Sequence, residues 1–183
     1  DATIYFGDEP FDFKNSLLKY DVGISFMYLH KVPKEEVEKH TWLNFHPAPL
    51  PAYRGRNLCY HAIMNGETQF GASVHYMDEN FDTGPIIDVW NFDIEPSATA
   101  GDVSRWAIET SKALFEDYFP QILDSAVFSC VPNVGGAYYP KMPITDGLHI
   151  TEDQATRIRA ISYGEFHPKI DIGGVKYKIV RDE

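Results

Sequence analysis

Two short stretches of this chain carry residue types that can do chemistry together. The first is Asn44-Phe-His46-Pro-Ala-Pro-Leu-Pro-Ala-Tyr-Arg54-Gly55, which sets an amide and an imidazole two residues apart. On a strand, that spacing puts both side chains on one face. At the strand's carboxyl end they would stand where open α/β sheets bind ligands. Pro47, Pro49 and Pro51 restrict the backbone that follows, so the turn reads as a fixed wall. The second stretch runs from Gly71 to Pro85 and carries His75, then Asp78, Glu79 and Asp82, with Gly84 permitting a tight turn. A carboxylate beside an imidazole favours the imidazolium and suits it to proton transfer near neutrality. An amide N–H next to that pair can stabilise an oxyanion. With no Ser or Cys nucleophile in a motif context, the set suits acyl transfer directly to a substrate amine. Taken singly, each residue also has a structural reading. Asn44 and His46 could bond a turn, Asp82 could form one before Thr83-Gly84, and His75 could sit satisfied in the core.

The elements that must position these residues can be read from pattern. Asp21 to Leu29 is an apolar run with strand formers, and Pro33 opens a short helix through Lys39. Thr41 to Phe45 is a second short strand. Leu58 to Met64 predicts a helix that stops at Asn65-Gly66. Gly71 to Met77 and Pro85 to Phe92 predict two more strands. The longest helix follows, opened by the acidic capping box Thr99-x-x-Asp102, with Val103, Trp106, Ala107, Leu114 and Tyr118 on its core face. Strands alternating with helices up to about residue 127 predict an α/β layer with a mostly parallel sheet. After the loop around Gly135-Gly136, Thr151-x-x-Gln154 caps a helix to about Ala160, and Gly173-Gly174 joins the two strands of a hairpin. This pattern divides the chain into a catalytic domain over residues 1–135 and a short α+β appendage over 136–183.

Composition narrows the function. Among 183 residues, 16 Lys and Arg stand against 27 Asp and Glu, for a net charge of −11. So acidic a chain lacks the footprint that neutralises phosphates along a nucleic acid. Cys59 and Cys130 are too few for a disulfide framework, and no CxxC pair suggests zinc. His30, His40, His61, His149 and His167 lack partners at metal-ligand spacing, so no metal is expected. No HExxH, GxGxxG or GxxxxGK[ST] pattern occurs. No apolar run approaches the roughly 20 residues of a membrane span, and no signal segment opens the chain. The expected compartment is therefore the cytoplasm. The chain begins at Asp1 rather than Met, which leaves processing or further upstream residues open.

Together the two stretches resemble the formyltransferase family that uses 10-formyltetrahydrofolate, which includes glycinamide ribonucleotide, methionyl-tRNA and sugar-nucleotide N-formyltransferases. The family's Asn-x-His-Pro, its Leu-Pro-x-Tyr-x-Gly turn and its Asp-x-Gly loop stand here at Asn44 to Pro47, Leu50 to Gly55 and Asp82 to Gly84. The resemblance implies a Rossmann-like domain. It implies that Asn44 holds the formyl oxygen as negative charge develops, that His46 stabilises that charge and moves a proton, and that Asp82 tunes His46 and helps accept the proton leaving the amine. Phe26, Met27, Tyr28 and Leu29 match the segment that lines the pterin pocket, and the loop with Asp78 and Glu79 would close its other side. His75 matches a position near the reaction centre. Family chains usually carry a further strand–helix–strand unit before the segment near Asp21. Those upstream strands are expected to be absent or to lie outside this chain.

The tail bears on the acceptor. Tyr138 to Pro143, Asp146-Gly147 and Arg157 to Ile161 resemble the segment after the catalytic domain of sugar and tRNA formyltransferases. The acidic charge and the lack of room for a C-terminal barrel disfavour tRNA. The resemblance thus implies two small-molecule partners, the folate co-substrate and a nucleotide-linked amino sugar of the kind used for lipopolysaccharide, with no nucleic acid and no membrane. Arg54, Tyr53 and His75 would contact the sugar nucleotide, with Arg56, Lys141, Arg159 and Tyr60 as further candidates. A homodimer through the C-terminal part is also expected. The alternatives are glycinamide ribonucleotide or methionyl-tRNA formylation, a formyltetrahydrofolate hydrolase using water, or a truncated folate-binding pseudoenzyme.

Overall fold

The structure is a computed structural model and describes residues 9–14, 19–142, 155–163, 169–172 and 175–178. Strand β1 (Val22–Phe26) leads through helix α1 (Lys34–Lys39) to strand β2 (Thr41–His46). Pro33 stands at the start of α1, with Glu35 and Glu36 in its first turn and Lys39 in its last, each charge on the favourable end of the helix dipole. The two strands pair in parallel, with Ser25 opposite Asn44. Next come a three-residue strand β3 (Tyr53–Gly55), helix α2 (Leu58–Met64) and the strands β4 (Gln69–Tyr76) and β5 (Ile86–Asp93).

The sheet has the order β1-β2-β4-β5. Only β1 and β2 are parallel; β2 with β4 and β4 with β5 are antiparallel. The α/β layering holds, but the sheet is mixed rather than mostly parallel. The physical reason lies in the connection: residues 77–85 are too few for a crossover helix, so the chain reverses into β5.

Helix α3 (Ala100–Leu123) covers the sheet. Its capping box is complete, with the Asp102 N–H donating to Thr99 Oγ1 at 3.2 Å and the Thr99 N–H to Asp102 Oδ2 at 2.9 Å. Val103, Ala107 and Leu114 are fully buried, as the periodicity requires. Leu114 meets Leu43, Phe45 and Val74 on the sheet in one core cluster. Val103 and Ala107 meet Ala62, Ile63 and Phe70 in a second. Helix α4 (Ala155–Ile161) joins that second cluster through Ala160, which is 2% exposed. Arg159 Nε donates to the Ala98 carbonyl at 2.8 Å, so the tail is tied to the start of α3.

Strand β6 (Ala137–Tyr139) lies parallel to β3, and β7 (Lys169–Ile172) pairs antiparallel with β8 (Val175–Lys178). The hairpin strands thus fall where the sequence puts them. The turn Gly173-Gly174 and the capping pair Thr151 and Gln154 lie outside the described residues, as do Pro143, Asp146, Gly147, His149 and His167.

Candidate active site

The site grows from the carboxyl end of β2. Alternation sends Phe45 into the core at 0% exposure and turns Asn44 and His46 to the other face. The proline-rich turn after β2 is pinned from below by Ser73 on β4. Its Oγ donates to the Ala48 carbonyl at 2.7 Å and accepts the Leu50 N–H at 2.8 Å. That turn delivers β3, whose main chain holds the His46 and Asp82 side chains. The Tyr53 carbonyl lies 2.9 Å from His46 Nε2, and the Gly55 N–H donates to Asp82 Oδ2 at 2.9 Å.

These bonds decide protonation sites. A carbonyl has no proton to give, so Nε2 of His46 carries one, and Nδ1 is the nitrogen left to gain or lose a proton. Nδ1 faces Asp82 Oδ1 at 3.5 Å, and both side chains are largely shielded from solvent. The same carboxylate oxygen lies 3.4 Å from Asn44 Nδ2. Asp82 sits at φ 56°, in the left-handed region, and Asn133 Nδ2 donates to its carbonyl and to that of Gly84, each at 3.0 Å. Gly84 is required by space: a Cβ there would come 1.9 Å from the Tyr76 carbonyl oxygen.

His75 stands behind Asn44, 1% exposed, with its Nε2 3.1 Å from Asn44 Nδ2. Burial, aided by the neighbouring His46, pushes its pKa down from 6.5 to about 4, so it is neutral near pH 7. Its Nδ1 is 2.7 Å from the Tyr76 carbonyl and donates there, which leaves Nε2 as an acceptor. The Asn44 amide is thereby oriented: its N–H groups point to His75 and Asp82.

Asn44, His46 and Asp82 form the floor of a cleft of about 400 Å³. Met27, Tyr28, Leu29 and Phe81 line it, as do Arg56, Tyr60, Tyr138 and Lys141. Cys59, Ser104 and Tyr163 also line it. Burial pushes the Cys59 thiol up to about 12, too high for a thiolate nucleophile near neutrality. Among the described residues, no group of three or more His, Cys, Asp and Glu is arranged to hold a metal ion.

Several expected contacts face elsewhere. Among the residues lining the cleft, Arg54, Tyr53, His75, Phe26, Asp78 and Glu79 do not occur. Arg54 Nη2 donates to the Gly135 carbonyl at 2.8 Å, so the guanidinium serves a loop. Tyr53 is 4% exposed, and its hydroxyl donates to Glu67 and accepts from Asn65 rather than facing the cleft. Phe26 packs edge-on against Phe115 with ring centres 6.0 Å apart. Asp78 accepts from the Asn80 N–H and the Thr83 hydroxyl, shaping its own loop, and Glu79 pairs with Lys34 on α1. Arg56 reaches the Leu29 carbonyl at the cleft wall. The pattern gave no sign of the Tyr53 carbonyl and Gly55 amide as site groups, because any residue type offers a main chain. Asn133 was also missed; its only signal is an amide just before Gly135-Gly136.

Comparison with known proteins matches this frame. The formyl transferase family profile matches residues 8–117. A methionyl-tRNA formyltransferase of Salinispora tropica is 32% identical over 132 residues, covering 69% of this chain and 43% of that protein. A GDP-perosamine N-formyltransferase of Brucella melitensis is 31% identical over 163 residues, covering 82% of this chain and 60% of that protein. The chain therefore spans from 43% to 60% of the length of these relatives. A 4-N formyltransferase from Francisella tularensis shares the fold, with a TM-score of 0.76 at 23% identity over 89% of this chain and 71% of that one. A Helicobacter canadensis N-formyltransferase in complex with folinic acid and dTDP-3-aminofucose gives a TM-score of 0.70 at 25% identity, over 84% and 59% of the two chains. With the profile spanning more than half its length and the Asn-x-His-Pro and Asp-x-Gly elements converging on one cleft, the chain belongs to the formyl transferase family.

Proposed function

We propose that this protein transfers a formyl group from 10-formyltetrahydrofolate to the primary amine of a nucleotide-linked amino sugar. One observation carries the reading: Asp82 Oδ1 lies 3.4 Å from the Asn44 amide nitrogen and 3.5 Å from the free nitrogen of His46, at the floor of a cleft. That geometry offers an oxyanion donor and a proton relay around one point, which direct acyl transfer to an amine needs.

The residues also fit the donor. Met27, Leu29 and Phe81 offer an apolar rim to a flat ring, next to the polar floor. When bound, 10-formyltetrahydrofolate supplies the electrophilic formyl carbon. Asn44 gives up its longer bond, to Asp82, and donates that N–H to the formyl oxygen as it gains charge. His46 and Asp82 take the proton lost by the attacking amine as the new N–C bond forms. They return one to the folate nitrogen as its bond to the formyl carbon breaks, so the relay ends as it began. His75 holds the Asn44 amide to this task and takes no proton itself.

The sugar acceptor is supported by the length of the match. Similarity to the GDP-perosamine enzyme covers 82% of this chain, against 69% for the tRNA enzyme. A net charge of −11 also works against a tRNA partner. Arg56 and Lys141 are the cations at the cleft that suit a diphosphate. We place the catalytic groups in a domain of residues 1–135 and read 136–183 as a short appendage that adds Tyr138, Lys141 and Tyr163 to the cleft. A cytoplasmic homodimer serving lipopolysaccharide synthesis completes the proposal.

The test is end-point mass spectrometry with 10-formyltetrahydrofolate and a mixture of dTDP-amino sugars, GDP-perosamine and glycinamide ribonucleotide. A formylated nucleotide sugar is expected. Formylation of glycinamide ribonucleotide alone would replace the acceptor, and formate release without any formylated amine would make the protein a hydrolase. His46→Asn is expected to lower turnover about 100- to 10,000-fold while folate binding changes little. Unchanged turnover would remove His46 from the mechanism.

A further inference from the structure

We infer that Asn133 is a positioning residue for the proton relay, acting on Asp82 from outside the segment that carries the chemistry. The inference rests on the proposed roles of Asp82 and His46. Asn133 lies beyond residues 8–117, where the family profile matches, and it touches neither the cleft nor the reacting side chains. What it touches is the main chain of the loop that presents Asp82. Its Nδ2 donates to the Asp82 carbonyl and to the Gly84 carbonyl, both at 3.0 Å. The two bonds bracket Thr83 and close the turn around it.

This clamp matters because of the backbone it holds. Asp82 has φ 56°, a conformation that residues with a Cβ keep only when their surroundings enforce it. Gly55 and Asn44 each donate to one oxygen of the carboxylate. Those bonds keep their geometry only while the main chain that carries Asp82 stays in place; if the loop relaxes, the 3.5 Å approach to His46 Nδ1 is lost. Asn133 fixes that main chain and is itself anchored. Two residues before it, Val131 exchanges both main-chain hydrogen bonds with Ile86, at 2.8 and 2.9 Å. The Oδ1 of Asn133 is buried with no hydrogen-bond partner among the described residues. Such an orphan acceptor is unfavourable, and it is tolerated here because the same amide makes two donations to the loop. Among the described residues, the groups that face His46 include Asp82 from its loop, the neutral His75 from β4 with ring centres 6.3 Å apart, and the Tyr53 carbonyl from β3.

The experiment replaces the clamp in the full chain with Asn133→Ala and Asn133→Ser, checks folding by thermal unfolding, and reads kcat and KM separately for donor and acceptor. The expected result is a kcat lower by about 10- to 100-fold, with both KM values within about twofold. A second readout is the NMR spectrum of labelled histidine, with the His46 ring signals assigned through His46→Asn. As Asp82 moves away from Nδ1, the His46 ring nitrogen signals are expected to shift. A lower melting temperature with kcat and the His46 signals unchanged would reduce Asn133 to a structural role and overturn the inference. If the unaltered protein formylates nothing, the functional proposal fails, while the His46 signals still report whether Asn133 sets Asp82 against His46. A third measurement needs no variant. The Asn133 side-chain amide protons, both bonded to carbonyls, are expected to exchange slowly with D2O, and fast exchange would overturn the clamp.

Discussion

His46 and His75 sit one strand apart, with ring centres 6.3 Å from each other, yet their surroundings give them opposite tasks. His46 keeps a nitrogen free opposite a carboxylate, whereas His75 is sealed in and neutral. The second fact has a thermodynamic signature. Between about pH 4 and 6.5 the unfolded chain protonates His75 and the folded protein does not, so the folded state binds fewer protons. Stability from this group is full above pH 6.5 and is lost as pH falls toward 4. The slope it contributes is at most about 1.4 kcal/mol per pH unit. Urea unfolding of the protein and of His75→Gln across this range checks it: the variant, which cannot titrate there, is expected to show a flatter dependence. Residue types able to do chemistry were legible in the sequence because Asn-x-His needs only a strand to share a face. The fate of Arg54 was not, because its partner Gly135 lies 81 positions away and only folding brings it near.

Elements with a long period announced themselves. Helix α3 shows its capping box and its buried stripe in plain sequence, and α1 shows its proline and its charge order. Strands β3 and β6 could not be seen: three residues are too few to display alternation, and what makes them strands is each other. Alternation likewise marks β4 and β5 as strands but says nothing of direction, which the short loop between them decides. The β3–β6 pair is reached through Gly135 and Gly136, at φ 82° and 68°. The two glycines differ in room. A Cβ on Gly136 would come 1.6 Å from the Pro51 carbonyl oxygen, whereas one on Gly135 meets nothing within 4 Å. Gly135→Ala is therefore expected to cost only the strain of a left-handed alanine, about 1 kcal/mol. Gly136→Ala is expected to cost about 1–3 kcal/mol more, because the Pro51 carbonyl or the β6 strand must move. Denaturant midpoints of the two variants compare them directly, and equal losses would contradict the close approach.

The molecule as a whole is knit by its tail. Ala160 on α4 fills a space in the cluster formed by α2 and α3, and Tyr163 donates shape to the cleft as well as meeting the Ser104 hydroxyl at 3.1 Å. Pattern placed α4 in an appendage because a helix read alone does not reveal what it covers. Ala160→Glu would bury a charge without a partner and is expected to cost about 2–4 kcal/mol, measured as a lower urea midpoint. A loss near zero would show that α4 is dispensable to the core. The rim of the cleft carries a different liability. Met27 is 42% exposed and lines the wall beside Leu29 and Phe81. Its exposed side chain is a candidate for oxidation, and a sulfoxide there would turn an apolar wall polar without touching Asn44, His46 or Asp82. The consequence would be a folded protein whose cleft has lost apolar surface at its rim, a change that reduction of the sulfoxide would undo.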